Sequence, residues 1–297
     1  MSSPQRPMLG IIGGTGMAEA LGSLGSGEHH RVDTPFGPPA SPITLVEIGG
    51  APVALLPRHG EGHVYPPGRV PYRANVFALK SVGVTHVLAT SAAGSLREDI
   101  HPGELVVPDQ VIDRTFRRDP TFFDDLAVHV EFAQPFCSSL RKVLLSARSE
   151  AKVHDGGTYV CMEGPQFSTR AESDLHRSWG AHLIGMTLMP EAKLAREAEL
   201  CYAAVNLVTD YDCWRPHPRE LGAQQQLLEE IIGNLRATTT AALSLLRAAL
   251  PGAQSLAASG CPCQESLERA IFTSGTQIHE ETRKELDVLL NRALRNR

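Results

Sequence analysis

Val205-Asn206-Leu207-Val208-Thr209-Asp210-Tyr211-Asp212-Cys213-Trp214 is the stretch that decides how this sequence is interpreted. The apolar residues 203–208 predict a buried strand, which ends on two carboxylates, Asp210 and Asp212. In open α/β sheets, ligands bind outside the carboxyl ends of the strands. Two carboxylates there can accept from an exocyclic amine and share a proton with a ring nitrogen, as binding an aminopurine edge requires. An isolated Asp-x-Asp is more commonly a solvated turn or a helix cap, so the choice depends on the rest of the chain.

Composition limits the protein class. The chain has 297 residues, 42% of them apolar, which suits one large α/β domain or two small ones. The net charge of −5 is mixed along the chain without a basic stripe, so we expect no nucleic acid partner. No apolar run reaches the roughly 18–20 residues of a membrane span, and residues 1–7 do not resemble a signal peptide. We therefore expect a cytoplasmic protein with no membrane partner.

Cysteine spacing predicts no metal site. Six cysteines are scattered along the chain: Cys137, Cys161, Cys201, Cys213, Cys261 and Cys263. Their spacings do not form a zinc pattern, because Cys261-Pro262-Cys263 is one residue short of Cys-x-x-Cys. We expect reduced structural cysteines, with a stabilising disulfide as the alternative.

Apolar runs alternate with helical patterns over most of the chain. Strands are predicted at 8–12, 43–48, 52–56, 86–90, 105–112, 157–161, 182–186 and 203–208. Helices are predicted at 72–82, 135–150, 169–179, 189–200 and, as one helix or two, 220–250. This alternation predicts an α/β fold with a mixed central sheet flanked by helices, and residues 114–131 form a long loop.

The C-terminal part differs in composition. Residues 251–260 are rich in Gly, Ser and Ala and are interpreted as a linker, followed by helical segments at 266–272 and 277–291. We therefore expect a main domain at 1–250, with 251–297 as a linker and a helical extension that packs on the same domain.

A glycine turn, Gly13-Gly14-Thr15-Gly16, follows the first predicted strand. Glycine lets the backbone approach a ligand closely, and the turn's amides can cradle an anion. A dinucleotide-binding fold is the obvious rival, but it needs Gly-x-Gly-x-x-Gly, which this turn lacks. Asp33 stands where a ribose-binding acid is expected, but turn residues follow it. We therefore disfavour the dinucleotide interpretation.

Six short segments each follow a predicted strand, so they are expected to meet at one rim of the sheet. An arginine at a strand end is a natural oxyanion ligand and would supply a fixed cation, and small residues after a strand expose amides that suit phosphate. The six are Gly13–Gly16, Arg58-His59, Thr90–Gly94, Phe167-Ser168, Met186-Thr187 and Asp210–Asp212.

The motifs, in their order, resemble the trimeric purine nucleoside phosphorylase family, most closely its branch that acts on 5′-methylthioadenosine. The similarity runs from about Leu9 to Trp214 and weakens beyond it. It rests on Gly10-Ile11-Ile12-Gly13-Gly14-Thr15-Gly16, Val32-Asp33-Thr34-Pro35-Phe36-Gly37, Arg58-His59-Gly60, Gly94-Ser95-Leu96-Arg97-Glu98, Glu163-Gly164-Pro165-Gln166-Phe167-Ser168 and Thr209-Asp210-Tyr211-Asp212-Cys213-Trp214.

The resemblance implies a single-domain pentosyltransferase of purine and methionine salvage. Such an enzyme splits a nucleoside with phosphate into free base and pentose 1-phosphate, through an oxocarbenium-like transition state. It also implies a homotrimer with shared active sites, phosphate as co-substrate, and no cofactor or metal.

The resemblance also assigns roles to residues. Phosphate would be held by Thr15, Arg58, His59, Ser91, the Ala92 amide and Thr187. Asp210 and Asp212 would be the catalytic pair at the base. Met186 would pack on the ribose, Phe167 on the purine, and Ser168 beside it. The 5′ end of the sugar would be met by His63, His129, Ala223 and Leu227.

Two positions imply adenine as the base. Ser168 stands where the 6-oxopurine enzymes carry Glu, and Asp210 stands where they carry Asn. Adenine offers an N6 donor and an N1 acceptor, which suit a carboxylate and a hydroxyl respectively. A phosphorylase of methylthioinosine or 6-oxopurine nucleosides is the alternative. The run Gln224-Gln225-Gln226 departs from the apolar residues that the resemblance implies around the thioether, so a preference for a 5′-hydroxyl over the methylthio group stays open. A nucleoside-binding protein without turnover is disfavoured, because binding alone would not require the phosphate cradle.

Overall fold

The computed structural model describes residues 8–25, 27–215 and 223–295. Within them lies one sheet of 11 strands. The strands are β1 (Met8–Gly13), β2 (Glu28–His30), β3 (Ile43–Ile48), β4 (Ala51–Pro57), β5 (Val84–Ser95), β6 (Leu105–Val107), β7 (Gln110–Arg114), β8 (Val153–Asp155), β9 (Thr158–Met162), β10 (Leu183–Gly185) and β11 (Cys201–Asp210). The α-helices are α1 (Met17–Gly22), α2 (Tyr72–Ser81), α3 (Ser138–Ser146), α4 (Arg170–Ser178), α5 (Leu188–Glu197), α6 (Ala223–Ser259), α7 (Glu280–Glu285) and α8 (Asp287–Arg295).

Strand β5 is the centre of the sheet. It pairs in parallel with β1 along one edge and with β11 along the other, and its last residues pair antiparallel with β10. The outer strands follow in the order β2-β3-β4-β1-β5-β10-β9-β7, while β11 continues to β6 and β8. The predicted mixed sheet flanked by helices is confirmed.

Apolar clusters cover both faces of the sheet. On one face, Phe77 of α2, Leu194 of α5 and Leu289 of α8 share a buried cluster with sheet residues. On the other, Leu140 of α3 and Leu245 of α6 belong to a second buried cluster. Burying each such side chain contributes about 1.5–3 kcal/mol, so both helical layers stabilise the sheet edge that carries the site. Among the described residues, no helix combines the length and apolar character that crossing a bilayer requires.

The interpretation of residues 251–260 as a linker is wrong. Helix α6 continues through Pro251 to Ser259. Ala253 and Ala257 are buried, and Gln254 Nε2 donates to the Ile48 carbonyl oxygen at 3.2 Å. The alanines therefore form a narrow packing face, which the composition alone does not distinguish from a flexible segment.

The single strand predicted at 105–112 is two strands. Pro108 separates β6 from β7, and the two pair with different partners, β6 with β11 and β7 with β9. Proline cannot donate to a sheet ladder, so a break at this residue was available from the sequence. The helix predicted at 266–272 is also absent, since these residues form turns and an isolated bridge from Ile271 to Val128.

Candidate active site

The loop after β1 lies directly against the ends of β4 and β5. The Gly14 amide donates to Thr90 Oγ1 at 3.1 Å, and the Arg58 amide donates to the Gly13 carbonyl oxygen at 2.8 Å. A Cβ at Gly14 would lie 2.6 Å from the carbonyl oxygen of Thr90 and 2.8 Å from Arg58 Nη1. Only glycine allows this approach, which explains the Gly-Gly step in the turn.

The hydroxyls expected to hold phosphate meet in the next pair of loops. Ser91 Oγ lies 3.0 Å from Thr187 Oγ1 and 3.4 Å from the Tyr159 hydroxyl. Ser91 and Thr187 are buried, whereas Thr15 and Ala92 are half-buried. Ser91 lies in the second half of β5, Tyr159 lies in β9 and Thr187 follows β10, so three distant segments place hydroxyls in one small region.

Arg58 forms a buried ion pair that the sequence analysis did not predict. Its side chain is fully buried, and Nε and Nη2 donate to the Glu191 carboxylate, each at 2.6 Å. Nη1 donates to the Thr90 carbonyl oxygen at 2.7 Å, and the Tyr202 hydroxyl donates to Glu191 at 2.7 Å. Three of the five N–H groups are used, which leaves two with no acceptor among the described residues. Arg58 is therefore held, as one partner of a buried ion pair, directly beneath the end of β4 and against Thr90 of β5.

His59 is neutral at physiological pH. Burial, followed by the charge of Arg58, lowers the pKa of His59 to about 4. Nδ1 lies 2.8 Å from the Tyr65 carbonyl oxygen, which can only accept, so Nδ1 carries the hydrogen. Nε2 is then an acceptor. The exposed ring of His63 stacks on His59 with 4.1 Å between centroids, which places both sequence-predicted histidines together.

The two carboxylates lie at the end of β11, beside β5. Asp210 pairs in register with Gly94, after an irregularity in the ladder at Thr209. Asp210 Oδ2 accepts from the Thr209 hydroxyl at 2.6 Å, and Oδ1 accepts from the Asp212 amide at 2.7 Å. Burial raises the pKa of Asp212, opposed by the hydroxyls of Ser173 and Ser168. Asp210 is thus a fixed acceptor, while its neighbour retains a proton more readily than an exposed carboxyl.

The loop after β9 joins the same rim. The Cys213 thiol lies 3.3 Å from the Ser168 carbonyl oxygen, which links this loop to the end of β11. A Cβ at Gly164 would lie 2.6 Å from Met186 Sδ, so Met186 packs directly on the loop. The prediction that Thr90–Gly94 follows a strand is wrong, because β5 continues to Ser95 and includes these residues. The other five segments lie at or after strand ends, and the contacts above link all six into one set.

Some predicted site residues are not in that set. Phe167 is 84% exposed and extends from the rim into solvent. His129 is also exposed, and the centroid of its ring lies 5.2 Å from that of Phe272 in the C-terminal segment. The side chains of Ala223 and Leu227 lie outside the described part of the structure.

Sequence reasoning missed the groups that support the site. Glu191 and Tyr202 hold Arg58, and Asn234 Nδ2 donates to the Thr209 carbonyl oxygen at 2.9 Å, so helix α6 fixes the end of β11. One signal was present, since Glu191 is a carboxylate inside an otherwise apolar helix start, Leu188-Met189-Pro190. No pattern in the sequence pointed to Tyr202 or Asn234.

Comparison with known proteins gives consistent results. The model of the phosphorylase superfamily matches residues 8–251. An S-methyl-5′-thioadenosine phosphorylase from Cereibacter sphaeroides is 46% identical over 295 residues, covering 98% of this chain and 99% of that protein.

Solved structures of the same kind also align. A methylthioadenosine phosphorylase from an antarctic soil metagenomic library superposes with a TM-score of 0.84 at 40% identity, covering 96% of this chain and all of that one. A methylthioadenosine phosphorylase from Schistosoma mansoni, in complex with adenine, gives a TM-score of 0.80 at 33% identity, covering 90% and 99% of the two chains.

Proposed function

Because this chain belongs to the phosphorylase superfamily, we propose that it catalyses phosphorolysis of S-methyl-5′-thioadenosine to adenine and 5-methylthioribose 1-phosphate. The observation that carries the proposal is the position of Asp210 and Asp212, at the end of the strand that borders the hydroxyls and amides around Ser91. The carboxylates proposed to bind the base and the hydroxyls proposed to bind phosphate thus lie next to each other on the same rim. The names of the relatives at 40% identity and above support the same substrate.

Phosphate is proposed to bind among Thr15, Ser91, the Ala92 amide, Thr187 and Arg58. Hydrogen phosphate keeps a P–OH group at neutral pH, and Nε2 of neutral His59 is an acceptor suited to it. The Arg58–Glu191 pair carries no net charge, so directed N–H and O–H donors stabilise the anion more than overall attraction does.

The purine is proposed to lie between the β11 end and Phe167. A phosphate oxygen forms a bond to C1′ while the bond from C1′ to N9 breaks and its electron pair moves into the purine. Asp210 accepts from the N6 amine, and the carboxyl pair delivers a proton toward N7, which neutralises the leaving base. The exposed ring of Phe167 offers an apolar face that a purine would cover. Met186, packed on the same loop, would contact the ribose.

The function is tested with a panel of purified nucleosides, incubated with and without phosphate, while free base is measured. We expect methylthioadenosine to be cleaved fastest, and only with phosphate. Comparison with adenosine separates a methylthio preference from tolerance of a 5′-hydroxyl. Cleavage of methylthioinosine at an equal rate would favour the 6-oxopurine alternative, and binding without turnover would contradict the proposed enzyme.

A homotrimer with shared sites, working in the cytoplasm, is part of the proposal. The support is the surface around His129. His129 and Phe272, which is 69% exposed, form an aromatic pair. A second subunit bound at this surface would cover the aromatic pair. His129 would then lie in that subunit's active site, near the 5′ end of the substrate bound there.

His129→Ala is expected to reduce activity through the 5′ end of the sugar and to leave base preference unchanged. If sites are shared, mixed oligomers of His129→Ala subunits and inactive Asp210→Ala subunits will recover activity, because some sites contain both native residues. Activity is compared with that of each variant denatured and refolded alone. Mixed oligomers verified by mass that recover nothing would contradict sharing.

A further inference from the structure

Four of the six cysteines meet in space. The Sγ atoms of Cys137, Cys201, Cys261 and Cys263 all lie within 4.8 Å of one another. They come from three segments: the residue before α3, the first residue of β11, and the turn after α6. The sequence could not show this, because zinc patterns depend on close pairs, and only Cys261 and Cys263 are neighbours in the chain.

The distances suit a tetrahedral metal. Zinc–sulfur bonds of about 2.3 Å give sulfurs about 3.8 Å apart at the corners of a tetrahedron. Cys137 Sγ and Cys261 Sγ lie 3.7 Å apart, and all six cysteines of the chain are free. Four sulfur ligands, with no further His, Cys, Asp or Glu in the cluster among the described residues, match the closed coordination of structural zinc sites.

The surroundings favour thiolates. The Leu140 amide donates to Cys137 Sγ at 3.5 Å, at the N-terminus of α3, where the helix dipole stabilises negative charge. Cys137 and Cys201 are buried, while Cys261 and Cys263 are half-buried, so an ion could enter from the side of the turn.

We propose that Cys137, Cys201, Cys261 and Cys263 bind one zinc ion, or another divalent metal that prefers thiolates, in a structural site. Cys201 begins the strand that Asp210 ends, so the metal would lie about 30 Å from the base-binding end of β11. It would not act on substrate. It would fasten the C-terminal segment, which begins after α6, to the start of the strand that carries the catalytic pair.

The first test is the metal content of the full-length, untagged wild-type protein, measured by mass spectrometry after gel filtration in metal-free buffer. We expect about one zinc per chain. Cobalt substituted for zinc should give a thiolate-to-metal charge-transfer band and intense tetrahedral absorption. Removing zinc with a chelator should lower the melting temperature, while kcat/KM stays unchanged at temperatures where the metal-free protein remains folded.

Cys263→Ser is the informative variant, because this residue is only half-buried. It should lose bound zinc and melt earlier, whereas Cys161→Ser, at a buried cysteine outside the cluster, should retain one zinc. The proposal would be overturned if wild-type protein contains no metal and its mass is lower than that of the reduced chain by the four hydrogen atoms that two disulfides remove. Four titratable thiols that take up neither zinc nor cobalt would overturn it as well.

Discussion

Arg58→Ala is expected to raise the phosphate KM roughly ten- to hundredfold. The two N–H groups of Arg58 that have no acceptor among the described residues are the proposed phosphate donors. A hydrogen bond to a charged group is worth about 1.5–3 kcal/mol, which corresponds to that loss of affinity. Nucleoside binding, measured without phosphate, should change little, since the base end of the rim lies on β11. Steady-state kinetics at varied phosphate measure the effect.

The same change should destabilise the fold, which the sequence did not indicate. Removing Arg58 leaves Glu191 buried without its cation, and breaking a buried pair costs about 3–5 kcal/mol. Glu191→Gln is the matched control, because it breaks the same pair and keeps the guanidinium. Both variants should melt earlier, but only Arg58→Ala should show the large increase in phosphate KM. Equal phosphate KM values for the two variants would assign Arg58 a purely structural role.

Wild-type protein is expected to cleave methylthioadenosine roughly ten- to hundredfold better than methylthioinosine at matched phosphate. Ionised Asp210 facing O6 of hypoxanthine sets acceptor against acceptor, and a mispaired buried polar group costs about 1–3 kcal/mol. Asp210 is held as an acceptor, since the Thr209 hydroxyl and the Asp212 amide both donate to it.

Asp210→Asn combined with Ser168→Glu should narrow or reverse this ratio. The amide supplies a donor for O6, and the new carboxylate supplies an acceptor for the N1–H of hypoxanthine. Absolute rates should fall for both bases, because the amide must turn its NH₂ toward O6 while Thr209 and Asp212 still donate, so the ratio is the quantity to measure. Ser168→Ala serves as the control that removes the hydroxyl without adding charge. Equal cleavage of both nucleosides by wild type would contradict the adenine assignment.

The sequence predicted the elements that follow local patterns. An apolar run ending in Asp210 identified β11, and glycine after an apolar run identified the turn at Gly14, because strand ends and turns are encoded by adjacent residues. The meeting of five of the six segments followed from the rule that strand ends share one edge of a sheet, whereas Thr90–Gly94 lies within β5. These predictions needed no knowledge of distant contacts.

The features that the sequence analysis missed depend on contacts between residues that are far apart in the chain. Glu191 lies 133 residues from Arg58, and no spacing rule relates the two. Cys137 lies 124 residues from Cys261, so the cluster is absent from any local pattern. The Gly, Ser and Ala content of residues 251–260 suggested a linker, but the burial of Ala253 and Ala257 in the core outweighs that local preference. In each case a tertiary contact decided what the local sequence left open.

The position of β5 has a consequence for synthesis of the chain. One edge of β5 pairs with β1, which is made first, but its other edge pairs with β11. About 100 residues separate the end of β5 at Ser95 from Cys201, which takes a ribosome roughly 5–20 s to translate. During that interval an apolar strand edge remains open to other chains. Strand β11, which carries Asp210, therefore also covers the edge of β5 that could otherwise pair with another chain.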